Sequence, residues 1–114
     1  MRYLYAMGLA WLGLACGSEA ASTEDATRLF NKVCAPCHSK DGKAQTPMAR
    51  KLGVKDLTQS RIADAEIKKQ ILEGRKGQDG KLAMPAFKEK LLPEEIDALI
   101  LIVKSFRLRQ GQRP

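Results

Sequence analysis

The sequence predicts an all-α fold, a single small domain wrapped around one bound group. Three observations predict it. Three segments repeat apolar residues at three- and four-residue spacing, with capping residues at their ends. No segment reads as a convincing strand. The connections between the three helices are long and irregular, which a compact domain tolerates only when something organises them. At 114 residues the chain suffices for one domain and not for two.

The chain begins with a segment that does not read as folded protein. Arg2 precedes an apolar stretch from Leu4 to Ala15 that includes Leu9, Trp11, Leu12 and Leu14, the charged start and apolar length of a signal peptide. It falls short of the roughly 20 apolar residues of a permanent membrane span. Two exits are legible. Leu12-Gly13-Leu14-Ala15-Cys16 resembles a bacterial lipoprotein box, with glycine where leucine is usual; there Cys16 is lipidated and becomes the new N-terminus. Ser18-Glu19-Ala20 is a small-x-small site for cleavage before Ala21. The expected division is a signal peptide over 1–16 (or 1–20), a tether over 17–23, a domain over 24–109 and a tail over 110–114.

Within the domain, the first helix is expected from Ser22 or Thr23 to about Val33. Ser22 with Asp25 gives a start like a capping box, and Ala26, Leu29, Phe30 and Val33 share one face. Ser39 to Arg61 is expected to be mostly irregular, punctuated by Gly42, Pro47 and Gly53, with Leu52, Val54 and Leu57 as buried points. Asp64 opens a second helix that ends at Gly74, with Ile67 and Ile71 inward, Ala63 one turn before, and Glu66, Lys68, Lys69 and Glu73 in water. A glycine-rich stretch, Gly74 through Gly77 to Gly80, leads into Met84-Pro85-Ala86-Phe87. The last helix opens at Leu92-Pro93-Glu94-Glu95, where proline suits the first turn and carboxylates suit the helix dipole. Leu92, Ile96, Leu99, Val103 and Phe106 form its stripe, Ile100 and Ile102 flank it, and Lys104, Arg107 and Arg109 lie at the far end.

The chemistry sits directly after the first helix, in Cys34-Ala35-Pro36-Cys37-His38. C-x-x-C-H is the spacing of covalent haem attachment: two thiols add across the two vinyl groups of the porphyrin, and the adjacent imidazole is held under the iron. His38 is the only histidine of the chain. Zinc would need four ligands, and no second Cys/His pair is available. A thioredoxin-like motif would need a preceding strand. A disulfide would leave His38 without a role. The expected cofactor is therefore one haem c, covalent through Cys34 and Cys37, with His38 on the metal. With the only histidine used, the second metal ligand is sought among methionines. Met1 and Met7 leave with the signal, and Met48 lies only ten residues beyond His38. Met84 follows a glycine-rich approach that lets backbone come close to a flat ligand. Met84 is expected to bind the iron, and Met48 to pack or lie exposed. Haem attachment leaves one cysteine over, which favours the lipid on Cys16.

The net charge of +7 survives cleavage before Ala21, which removes Arg2 and Glu19 together. No nucleic-acid motif accompanies that charge, so nucleic acid is not an expected partner. Lys43, Arg75, Lys76, Lys81 and Lys88 flank the two ligand motifs, and two readings stay open for them: a ring that steers an acidic redox partner, or a solvated surface. A His/Met pair leaves no open metal position, and no spare histidine offers acid–base chemistry, so an enzyme is not expected. The expected protein is a monomeric one-electron carrier in the periplasm or cell envelope, possessing a possible membrane attachment through Cys16; the alternative is a haem subunit or ligand-binding haem protein with an open distal site.

Taken together, Cys34-Ala35-Pro36-Cys37-His38, Asp41-Gly42-Lys43, Gly80-x-x-x-Met84-Pro85-Ala86-Phe87 and the apolar C-terminal helix resemble class I cytochrome c, over about residues 24 to 107. The resemblance is closest to small bacterial mono-haem cytochromes and to cytochrome c domains of respiratory complexes. It implies the cytochrome c fold, with three main helices around one haem and the first and last crossing beside the haem edge. It implies thioethers at Cys34 and Cys37, His38 proximal, Met84 distal, and Pro47 orienting His38 through its backbone carbonyl. Two positions depart from the family: Ala26 stands where glycine is frequent, and Ile102 where an aromatic is frequent, which a wider helix crossing would absorb. The domain has no tryptophan, so the haem propionate needs other donors, sought among Arg50, Lys51 and Lys55.

Intact mass of the chain matured in its host separates the two exits. Haem plus acyl chains on a chain starting at Cys16 is expected; haem alone on a chain starting at Ala21 would reject the lipid, and a mass without haem would reject the motif reading.

Overall fold

The computed structural model describes Gly13 and residues 22–111, with side chains as far as Leu108. The signal peptide, the cleavage sites, Cys16 and the end of the tail lie outside the described residues. The chain runs α1 (Thr23–Val33), α2 (Ala35–His38), α3 (Pro47–Leu52), α4 (Asp64–Glu73), β1 (Arg75–Lys76), β2 (Leu82–Met84) and α5 (Pro93–Gly111). The fold is mostly helical, with the three long helices where the apolar periodicity puts them.

α1 begins as its sequence directs. The Ser22 hydroxyl accepts from the Asp25 N–H at 3.1 Å, and Glu24 and Asp25 occupy the first turn, where the helix dipole favours them. Ala26 and Phe30 bury against α5, and the rings of Phe30 and Phe106 meet with centroids 5.2 Å apart and planes at 58°. This tilted contact suits two ring quadrupoles. The aromatic absent at Ile102 is thus supplied one turn later by Phe106, while Ile102 itself is buried. Gly42, at φ +78°, lies so close that a Cβ there would stand 2.7 Å from the Phe106 ring, so the loop after the cysteine motif is pressed onto the same helix pair.

α4 packs on α5 through Ile67 and Ile71. Two exposed ion pairs span the seam, Lys104–Asp64 at 2.9 Å and Lys68–Asp97 at 3.6 Å; such pairs contribute ~0–1 kcal/mol each. The Arg107 guanidinium donates to the Ile62 carbonyl at 3.0 Å and ties the chain ahead of α4 to the far end of α5.

Five expectations are corrected or refined. The segment from Ser39 to Arg61 contains α3: Thr46 caps it by accepting from the Ala49 N–H at 3.0 Å, and Pro47 stands in its first turn. The glycine-rich stretch is a short antiparallel hairpin, pairing Arg75 with Met84 and Lys76 with Leu82 across an irregular register. Gly80 turns it at φ +78°, and the Asp79 carboxylate accepts from the Lys81 N–H at 3.0 Å. Strands of two and three residues are too short to show an alternating pattern. Leu92 is 63% exposed because it precedes the helix, donating its N–H to the Glu95 carboxylate, so the buried stripe begins at Ile96. Leu52, at the end of α3, and Ala63, at the entry of α4, are likewise exposed.

Phe106→Ala in the haem-loaded protein is expected to lower the unfolding free energy by about 3–5 kcal/mol in denaturant titration, the usual cost of truncating a buried aromatic. A loss below about 1 kcal/mol would contradict the central place of the Phe30–Phe106 contact.

Candidate haem site

α1 does not stop cleanly. The Cys34 N–H donates to the Phe30 carbonyl at 2.8 Å, and the His38 N–H donates to the Cys34 carbonyl at 2.8 Å. The cysteine motif is therefore one further helical turn on the end of α1. Phe30, Cys34 and His38 fall at successive four-residue steps, on one face. All three line a single pocket. Ile67 and Ile71 of α4, Leu99 and Val103 of α5, and Met84 close the other sides. Cys37 is half-buried and does not line the pocket; it lies three residues from Cys34, rotated about the helix from that face.

Met84 reaches the pocket because the end of α4 grips its segment. The Phe87 and Lys88 N–H groups donate to the carbonyls of Ile71 and Leu72, at 2.9 and 3.2 Å. Gly74 ends α4 at φ 75°, ψ −173°, a conformation open essentially to glycine alone. A Cβ there would collide with the Met84 carbonyl oxygen and stand 3.0 Å from the backbone of Pro85 and Ala86. The close backbone approach that glycine permits is therefore to Met84 itself. Met48 lies on α3, 48% exposed, and takes no part in the lining.

The electrostatics separate the motif's two pocket-lining donors. Burial pushes the His38 imidazole below its ordinary range, keeping it neutral, the form whose lone pair binds a metal. Burial, with Cys37 second, pushes the Cys34 thiol up to about 11. Neither cysteine is in a disulfide. Among the described residues no three His, Cys, Asp or Glu side chains group around a possible metal position. The His38 Nδ1 is buried without a hydrogen-bond partner among the described residues. The carbonyl of Pro47, which the resemblance implied as its partner, does not accept from it in this structure. The loop holds the motif by its backbone instead. The Ala44 N–H donates to the His38 carbonyl at 2.9 Å, the Thr46 hydroxyl donates to the Cys37 carbonyl at 3.3 Å, and the Ser39 hydroxyl accepts from the Gln45 N–H at 2.7 Å. Ser39 and Ala44 both hold positive φ, at 65° and 55°, so this loop is bent into place at a cost of ~1–2 kcal/mol per residue.

Arg50, Lys51 and Lys55 are exposed and outside the lining. The polar side chains that do line the pocket, besides His38, are Ser60 and Gln70. Gln70 was legible, since it falls three residues after Ile67 on the inward side of α4; Ser60, in irregular chain, carried no signal. Arg75, Lys76 and Lys81 gather on the hairpin that delivers Met84, and Lys43 and Lys88 lie on other loops. The pocket fits a haem on an observation of its own. A neutral imidazole with one buried, partnerless nitrogen stands on an apolar wall, and a thioether stands on another. An unsatisfied buried polar atom costs about 1–3 kcal/mol, so the partnerless imidazole nitrogen points to a group that the described side chains do not supply.

A helical domain closed around such a pocket, with C-x-x-C-H at the end of its first helix, is a small c-type cytochrome. Residues 21–101 match the family described as cytochrome c oxidase, cbb3-type, subunit III, and the chain belongs to that family of cytochrome c domains. It is similar to the solved structure of the KustC0563 c-type cytochrome at 32% identity and a TM-score of 0.62, over 72% of this chain and 96% of that one. No curated protein matches. The protein is accordingly a haem-binding electron carrier, of a family that generally carries electrons rather than catalysing reactions and is typically extracytoplasmic.

Gly74→Ala is expected to destabilise the haem-loaded protein by ~1–3 kcal/mol beyond Gly80→Ala. Both glycines hold positive φ, and only Gly74 would meet neighbouring backbone. Equal denaturation midpoints for the two variants would contradict the grip of α4 on Met84.

Proposed function

We propose that the protein is a mono-haem, one-electron carrier of a periplasmic or membrane-surface chain, with Cys34 and Cys37 as the thioether residues and His38 and Met84 as the axial ligands. The observation that carries this reading is the pair His38 and Met84, 46 residues apart in sequence, lining one apolar pocket from different elements. Bound there, the haem supplies a single-electron iron couple whose potential a thioether ligand raises. His38 is held neutral and fixed by the backbone bonds of the Cys34–His38 turn. Met84 is fixed by Gly74 and by the two amides bonded to α4. Ile67, Ile71, Leu99 and Val103 keep water from the centre, which disfavours the more highly charged oxidised state. Two ligands seated in rigid elements move little between oxidation states.

Residues 24–109 constitute the carrier domain, 17–23 the tether, and 110–114 the tail in this reading. The signal peptide with lipidated Cys16 is the expected route to the membrane surface. Among the described residues no helix is long and apolar enough to cross a membrane. The partner is a protein with an acidic face, met by Lys43, Lys88 and the hairpin cations Arg75, Lys76 and Lys81.

Met84→Ala is expected to lower the reduction potential by on the order of 0.1 V or more, within the ~0.8 V span that axial ligands command, and to admit carbon monoxide to the reduced protein. Unchanged potential and exclusion of carbon monoxide would remove Met84 from the iron. Electron-transfer rates with an acidic partner are expected to drop at least about tenfold between low and high ionic strength. A flat salt dependence would reject the docking ring.

A further inference from the structure

Leu101 and Leu108 are the most exposed leucines of α5, at 65% and 70%, in a helix whose other leucine, Leu99, is 1% exposed. They lie seven residues apart, which returns to within about 20° of the same face. Leu99 and Val103, which line the haem pocket, stand two residues to either side of Leu101, about 200° round the helix. The two leucines therefore point away from the haem pocket, on the opposite side of the helix.

The charge around them is one-sided. From Ala98 to the C-terminus the sequence contains Lys104, Arg107, Arg109 and Arg113 and no acidic residue. The acids of this face, Glu94 and Asp97, belong to the other end of the helix, and Asp97 faces Lys68. Two of these cations are held by the fold: Lys104, 40% exposed, pairs with Asp64, and the half-buried Arg107 donates to the Ile62 carbonyl. Paired leucines bordered by cations with long apolar stems match an anionic bilayer surface. The leucines enter the acyl boundary and the cations meet the phosphates.

We propose that the C-terminal half of α5, through Leu101, Leu108 and its cations, rests on an anionic lipid surface and turns the haem pocket away from the membrane. The proposal leans on the membrane-surface location proposed above, and one experiment separates the two. The haem-loaded full chain, as matured, carries Leu101→Cys, Leu108→Cys or, as control, Leu82→Cys on the hairpin, where Leu82 is also exposed. Each variant is mixed with vesicles of phosphatidylcholine alone or with added phosphatidylglycerol, and its reaction with a water-soluble maleimide is timed. The expected result is slowing of about tenfold at positions 101 and 108 on the phosphatidylglycerol vesicles only, reversed by high salt, and no change at position 82. Retention on neutral vesicles without slowing anywhere on either surface leaves the anchor standing and overturns the α5 contact. Failure to bind the anionic vesicles overturns it also. Slowing that follows protein concentration and not lipid composition assigns the face to a second copy of the chain and overturns it as well.

Discussion

Everything in this structure depends on one constraint: an imidazole and a thioether, far apart in sequence, must stand on the walls of one dry pocket. The chain meets it with two rigid supports. One is the continuation of α1, through the junction at Cys34, into the helical turn of the cysteine motif, with Phe30, Cys34 and His38 all lining the pocket. The other is the end of α4, where Gly74 and the carbonyls of Ile71 and Leu72 hold the segment bearing Met84. α5 lies between these supports, touching α1 through Phe106 and lining the pocket through Leu99 and Val103.

The same packing sets the chemistry. A residue buried for stability here also excludes water from the centre, so the core and the site share their side chains. Phe30 belongs to the aromatic contact and to the pocket wall, and Ile67 and Ile71 belong to the α4–α5 seam and to the opposite wall. Burial keeps His38 neutral without any acidic neighbour, which suits a ligand and not a proton shuttle. The cations, by contrast, lie outside the pocket, where they influence encounter with other molecules and leave the centre alone.

Much of this was written in local patterns. The three long helices follow from spacing, and their ends from Ser22, Gly74 and Pro93. The motif at Cys34 points to its cofactor, and the place of Met84 in the lining agrees with a choice made from a shortage of alternatives. Thr46-Pro47 was also a legible helix start, an N-cap followed by proline, overlooked because α3 is only six residues long. Other features had no local signature. Nothing in the run Gly74–Gly80 distinguishes a hairpin from an open loop, since its pairing depends on where α4 ends. Ser60, one of the polar residues of the lining, has a place set only by the packing around it.

The central claim, that Met84 is the thioether on the iron, is tested most directly by proton magnetic resonance of the reduced, haem-loaded protein. A methionine held against the haem face shows its methyl protons far upfield through the ring current. One such resonance is expected in the parent and in Met48→Ala, and none in Met84→Ala. A resonance that persists in Met84→Ala, or disappears in Met48→Ala, would contradict the account.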